Sequence, residues 1–274
     1  DGFDYQFIKS ENNAPLKYES LSLNDNNFID VIFIYNSGIV YNYDKENKNF
    51  KINQINSEGR GFFLGGKIKN INIEFNGKEN QYLNKKIVKY DRKNLTGCLS
   101  FVKNMFINTN IIVKYSNCED GINIISSKGY IDRIDSKNSV LDGIDLDFSD
   151  LFVNNVKIND AGNDCVDFSS GNYEVKSFKL LNCGDKGISV GEKTIAKIEN
   201  VEIKNADIGI ASKDSSEVYI NQSKILNTND CLATYKKKQE FDGGFLKIIS
   251  SQCKNFKRYK LEDEFSKINI SKEL

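Results

Sequence analysis

Leu141-Asp142-Gly143-Ile144-Asp145-Leu146, Asn163-Asp164-Cys165-Val166-Asp167-Phe168 and Asp185-Lys186-Gly187-Ile188-Ser189-Val190 repeat one pattern at an interval of 22 residues. Each has a polar turn, one small residue, and then apolar side chains alternating with polar ones. The same beat places Gly121, Gly143, Cys165, Gly187, Gly209 and Cys231 at equal spacing. A period of 22 residues is too short for a pair of helices, and its β-formers and Asn/Gly turns mark a β-solenoid. The fold read from the chain is all-β: a single-stranded, right-handed parallel β-helix of about 22 residues per coil, capped at both ends.

Such a fold turns the sequence into columns, because equivalent positions in successive coils stack about 4.8 Å apart. Ile122, Ile144, Val166, Ile188, Ile210 and Leu232 form an inward apolar column, joined two residues on by Ile124, Leu146, Phe168 and Val190. Between them an outward column holds Asn123, Asp145, Asp167, Ser189, Ala211 and Ala233. Second strands recur at 130–134, 151–156, 173–178, 195–203 and 218–225. Asn182, Asn205 and Asn227 follow them as an expected structural ladder of stacked amides.

Residues 1–60 lack the beat and read as an N-terminal cap with irregular first coils; 61–253 form the helix proper, and 254–274 a C-terminal cap or tail. Lys+Arg and Asp+Glu number 38 each, so there is no global field to draw in nucleic acid, and none is expected as a partner. No apolar run reaches the length of a membrane-spanning helix. The chain opens on Asp1-Gly2-Phe3 without Met, as expected of a mature form or a fragment. Its single proline and its richness in Asn, Lys and Ile point to a bacterial or phage source. The six cysteines show no CxxC spacing, which argues against zinc. They read as small packable thiols, although Cys231 and Cys253 stand close enough to bridge.

Chemistry concentrates in two acidic columns. Asp120, Asp142 and Asp164 precede the small residue in three successive coils and are followed by Lys186. Three carboxylates stacked this closely repel one another by roughly 3 kcal/mol per pair at an effective dielectric near 20, so a cation, a lysine or shared protons must compensate. Asp before Gly is also an ordinary turn residue. Asp145 and Asp167, by contrast, stand mid-strand, where Asp is disfavoured. Hard oxygen ligands in this number suit Ca²⁺, with Asp142, Asp164 and Asp167 as the candidate set.

At these residues the chain resembles the parallel β-helix superfamily of pectate lyases and polygalacturonases, and also uncharacterised bacterial β-helix repeat proteins. Over about 100 residues, Val140-Leu141-Asp142-Gly143-Ile144-Asp145 is similar to the N-T-D-G-I-D word of the polygalacturonases, and Gly162-Asn163-Asp164-Cys165 to their G-D-D-C word. Gly184-Asp185-Lys186-Gly187 looks like their G-H-G word, and Gly209-Ile210-Ala211-Ser212-Lys213 their R-I-K word. The resemblance implies Asp142 and Asp164 as catalytic carboxylates and Lys213 as a substrate-binding lysine. Asn163 replaces the first Asp of the family's pair, Lys186 its histidine and Ala211 its arginine; the chain contains no histidine. An amide cannot donate the proton that the family's inverting hydrolysis requires.

The lyases and epimerases of the superfamily imply another reading, in which Asp142, Asp164 and Asp167 hold Ca²⁺ against a uronate and Lys186 or Lys213 takes the proton. The expected function is therefore action on an acidic or polyhydroxylated polysaccharide at a cell surface or outside the cytoplasm. Its catalytic candidates are Asp142, Asp164, Lys186 and Lys213, and its substrate-binding candidates are Asp145, Asp167 and Asn163. The alternative is a non-catalytic β-helix that binds glycan or builds part of a surface, phage-tail or polysaccharide-assembly protein.

Overall fold

The computed structural model describes residues 17–80 and 95–274. It is a parallel β-solenoid of about 10 coils with turns of about 22 residues, and 74% of it is strand. Each regular coil has three faces. In the strand Asp142–Ala161 the first face is 142–147, a corner falls at Phe148 (φ 49°), the second and third faces follow, and a corner at Asp160 (φ 65°) returns the chain to the first face.

The inward columns form as the alternation requires. Ile144 pairs with Val166, Val166 with Ile188, Ile188 with Ile210 and Ile210 with Leu232, all parallel and in register. All five are at most 1% exposed. Fully burying one such side chain contributes roughly 1.5–3 kcal/mol, so each coil is held chiefly by what it stacks upon. The second residue of the face must stay small: a Cβ on Gly143 would lie 2.6 Å from the Cys165 carbonyl oxygen of the next coil.

The corner after the third face is the expected amide ladder. Asn182, Asn205 and Asn227 sit at φ 58°, 63° and 59°, a left-handed conformation that Asn tolerates better than most side chains. Asn205 Nδ2 donates to Asn182 Oδ1 (2.7 Å) and Asn227 Nδ2 to Asn205 Oδ1 (2.8 Å). Asp160 and Asn255 extend the row at its two ends.

The cysteines are not packed thiols. Cys98–Cys118, Cys165–Cys183 and Cys231–Cys253 are disulfides. Cys165 and Cys183 stand 18 residues apart, at the two ends of one coil's return path, where a bridge closes the loop. Only Cys231 and Cys253 were read from spacing as able to bridge; they do, but not as stacked neighbours, since that coil runs 28 residues and Cys253 stacks on Ile225 of the third face.

At the N-terminal end the strands turn antiparallel. Val31–Asn36 pairs with both Tyr18–Leu23 and Gly61–Leu64, and Ile39–Asp44 with Asn49–Gln54. Phe28, Phe33, Phe50 and Phe63 pack beneath them against the first coils. The parallel ladder already begins at Asn49–Gln54, which pairs with Asn72–Asn76. It also runs past residue 253, through Phe245–Glu262 to a final parallel strand, Lys267–Glu273, whose charged residues guard the open edge. Of the expected N-terminal cap, residues 1–16 lie outside the described residues. Among the described residues no helix is long and apolar enough to cross a membrane.

Candidate functional site

The first face presents the acidic columns, and its two rows of carboxylates do different things. Asp142 and Asp164 belong to turns. Asp142 Oδ1 accepts from the Asp164 N–H (2.8 Å) and from Asn163 Nδ2 (2.7 Å). One coil on, Asp164 Oδ1 accepts from the Lys186 N–H (2.9 Å), and the Lys186 ammonium lies 3.5 Å from the same oxygen while also bonding Asp185. Each Asp thus fastens the backbone of the following coil, and Asn163 is spent in the same turn.

Asp145 and Asp167 stand in the outward column and are only half-buried. Asn123 Nδ2 donates to Asp145 Oδ2 (3.3 Å) and Asp147 Oδ2 (3.0 Å). Lys213 reaches back over Gly191, where an added Cβ would stand 3.1 Å from its Cε, and brings its ammonium to 3.9 Å from Asp167 Oδ1. That is an ion pair without a hydrogen bond, and Asp167 Oδ1 stays unpartnered although buried. So do Asn123 Oδ1, Ser100 Oγ and Ser189 Oγ in the same column. The two coils before Asp145 and the two after it therefore hold buried polar oxygens without a hydrogen-bond partner in the chain, which is uncommon in a folded protein.

Electrostatics acts on the two columns alike. Burial, aided by the charges of Asp120, Asp147 and Asp167, pushes the Asp145 carboxyl well above the usual carboxylate range. Burial and the charges of Asp120 and Asp164 do the same to Asp142. Asp120, fully enclosed, is pushed up to about 7, chiefly by burial. Asp147 and Asp164 also rise through burial, the latter despite Lys186. Like charges held this close and out of water favour the protonated forms. For Lys186, burial works against the ammonium, but Asp164 and Asp185 outweigh it and raise its pKa. A proton-abstracting lysine needs the opposite shift. The expected base is thus the middle of an ion-pair network.

The Ca²⁺ set fares similarly. Asp142 and Asp164 commit oxygens to amides and to Lys186, and among the described residues no three metal-ligating side chains are gathered about one point. Asp142, Asp164 and Asp167 do not fit a calcium centre, and no step is routed through one.

Phe148 was missed by sequence reasoning. It follows Asp147 at the corner, is 62% exposed, and holds φ 49°, a conformation costly for a bulky side chain. Ser126 and Ser170 occupy the same corner in the flanking coils at φ 50° and 55°. The signal was present as one large apolar residue in a polar column. Tyr235, further along the Asp147 column, is half-buried near Lys186, Asp185 and Asp164.

No family model, no curated protein and no solved structure matches this chain.

Proposed function

We propose that the protein acts on a polyhydroxylated or acidic polysaccharide laid across the first face, and that Asp145 and Asp167 are the working carboxyls. The observation that carries this reading is the pair of half-buried carboxyls, Asp145 and Asp167, stacked in register on the first face, with the exposed ring of Phe148 at the corner that ends it. A sugar supplies partners for both: hydroxyl donors for the carboxyl oxygens and a C–H face for the aromatic ring. Burial and the neighbouring charges push Asp145 towards its protonated form, while Asp167 has the Lys213 ammonium as counter-ion. Neighbouring carboxyls placed in unlike environments are the usual basis for an acid and a base in glycoside hydrolysis. This favours hydrolysis over β-elimination, since Lys186 is fixed as an ammonium. It keeps the pectate lyase-like likeness at the level of architecture.

The test is to incubate the protein with neutral and uronate-containing polysaccharides and follow reducing ends and unsaturated uronate separately. New reducing ends that disappear in Asp145→Asn are the expected result. Unsaturated products would replace the hydrolase by a lyase, and no product with any glycan would remove the catalytic reading. The non-catalytic alternative, a β-helix that binds glycan or builds part of a larger assembly, is distinguished by glycan binding without turnover. Three disulfides favour an oxidising compartment, so we place the protein outside the cytoplasm. Titration of the native protein purified from its source should then find no free thiol.

A further inference from the structure

The third face carries the opposite charge. Its strands pair Lys114 with Lys137, Asp135 with Lys157, Lys157 with Lys179 and Glu202 with Lys224, all pointing outward by the alternation that buries Ile134, Val156, Phe178 and Val201. Lys204 and Lys254 continue the row. Of these cations Lys114 is neutralised by Glu74 (2.9 Å), and Asp135 is taken by Arg133. Among the described residues Lys137, Lys157, Lys179, Lys204, Lys224 and Lys254 have no ion pair, and Glu202 is the one carboxylate standing among them without one. A chain of zero net charge thus gathers a basic strip on one side. Between Lys114, Lys137, Lys157 and Lys179 lies a groove of about 370 Å³, also lined by Asn159, whose Oδ1 is buried and unpartnered. Asn110, in a neighbouring outward column, has a buried unpartnered Oδ1 as well.

We infer that this groove and strip bind a linear anionic polysaccharide, its carboxylate or sulfate groups on Lys137, Lys157 and Lys179 and its hydroxyls on the orphaned amide oxygens. Lysines about 4.8 Å apart along the axis suit an extended polymer carrying its acid groups at intervals, better than a compact anion. Asn159 and Asn110 require donors, which a sugar hydroxyl supplies and a phosphodiester or a lipid phosphate does not. Single-stranded nucleic acid is held by aromatic platforms and free guanidinium groups; the groove has no aromatic residue, and Arg133 is engaged by Asp135. The inference does not rest on the acidic face, which lies on another side of the coil.

The experiment measures binding of the full chain to polygalacturonate, dextran sulfate, uncharged dextran, a single-stranded DNA oligomer and phosphatidylserine vesicles, at about 50 and about 200 mM salt. At least one of the two acidic polysaccharides should bind, weakening about tenfold or more across that salt range. The tighter of the two identifies the acid group. The triple variant Lys137→Ser, Lys157→Ser, Lys179→Ser should lose about tenfold in affinity or more with an unchanged melting temperature, since exposed substitutions cost little. Lys247→Ser, an exposed lysine on the second face, should bind as the parent does, which separates this surface from a general effect of charge. Absence of binding to either acidic polysaccharide, full retention by the triple variant, or tighter binding of DNA or vesicles would each overturn the proposal.

Discussion

Asp142 and Asp145 stand three residues apart on one strand and spend their carboxyls oppositely. Asp142 satisfies two amide donors of the next coil. Asp142→Ala should therefore leave the Asp164 N–H without its acceptor and cost about 1–3 kcal/mol, read as a lower denaturant midpoint, with glycan binding unchanged. Asp145 accepts from one amide and sits among carboxyls that push it towards the protonated form. Asp145→Asn keeps the shape and removes the charge, so the variant should melt higher than the parent at pH 8 while losing turnover on its glycan. Stability gained at the expense of activity is what a strained functional site shows. A variant that melts lower would mean that Asp145 is structural like Asp142, and would move the site away from this column.

At the scale of the coil, the corner ladder and the disulfides decide how firmly neighbouring coils hold. Asn205 donates to Asn182, accepts from Asn227, and sits at φ 63°. Asn205→Ala gives up both amide bonds and puts a Cβ-bearing residue without a local polar partner in the left-handed region, at a cost of about 2–3 kcal/mol. Asn205→Gly forgives the backbone but not the amides, so its melting temperature should fall between those of Ala and the parent; equal loss in both would show that φ is irrelevant there. Opening Cys165–Cys183 by Cys165→Ala with Cys183→Ala should cost roughly 3 kcal/mol for a loop of this length, measured under non-reducing conditions. The 22-residue beat made the ladder legible, because stacking follows from period alone, and alternation assigned Ile144 inward and Asp145 outward. Period does not say where a side chain reaches once it leaves its column. Lys186 turns to Asp185 within its own coil, Lys213 crosses a coil to Asp167, and Cys165 finds Cys183 across a return path. Each depends on rotamers and corner geometry. The lysine strip was within reach of the same column reading that found the acidic one. It escaped because its lysines lie in two adjacent columns interrupted by Asn159, Leu181 and Leu226.

Over the whole molecule, a stack of coils transmits the acid columns' electrostatics directly into stability, because each coil is held mainly by its two neighbours. Asp120, Asp142, Asp145, Asp147 and Asp164 all have folded-state pKa values above the 3.8 of an unperturbed Asp, burial being the first cause in each. Above about pH 4 the unfolded chain has released these protons while the native solenoid still holds some, so raising the pH withdraws protons that favour the folded state. Their contribution is complete below about pH 4 and is progressively lost as pH rises, with Asp120 giving up its proton near pH 7. Asp25, Glu74 and Asp263 are lowered instead, so their stabilisation disappears only in more acidic solution. The two trends place the stability maximum near pH 4–5, with a fall of several degrees in melting temperature by pH 8. Thermal melts of the oxidised protein from pH 4 to 9 check this, and Asp145→Asn should flatten the alkaline limb. A melting temperature that is constant or rises from pH 5 to 8 would mean that the carboxyls are ionised and otherwise compensated, and Asp145 could not then serve as a proton donor.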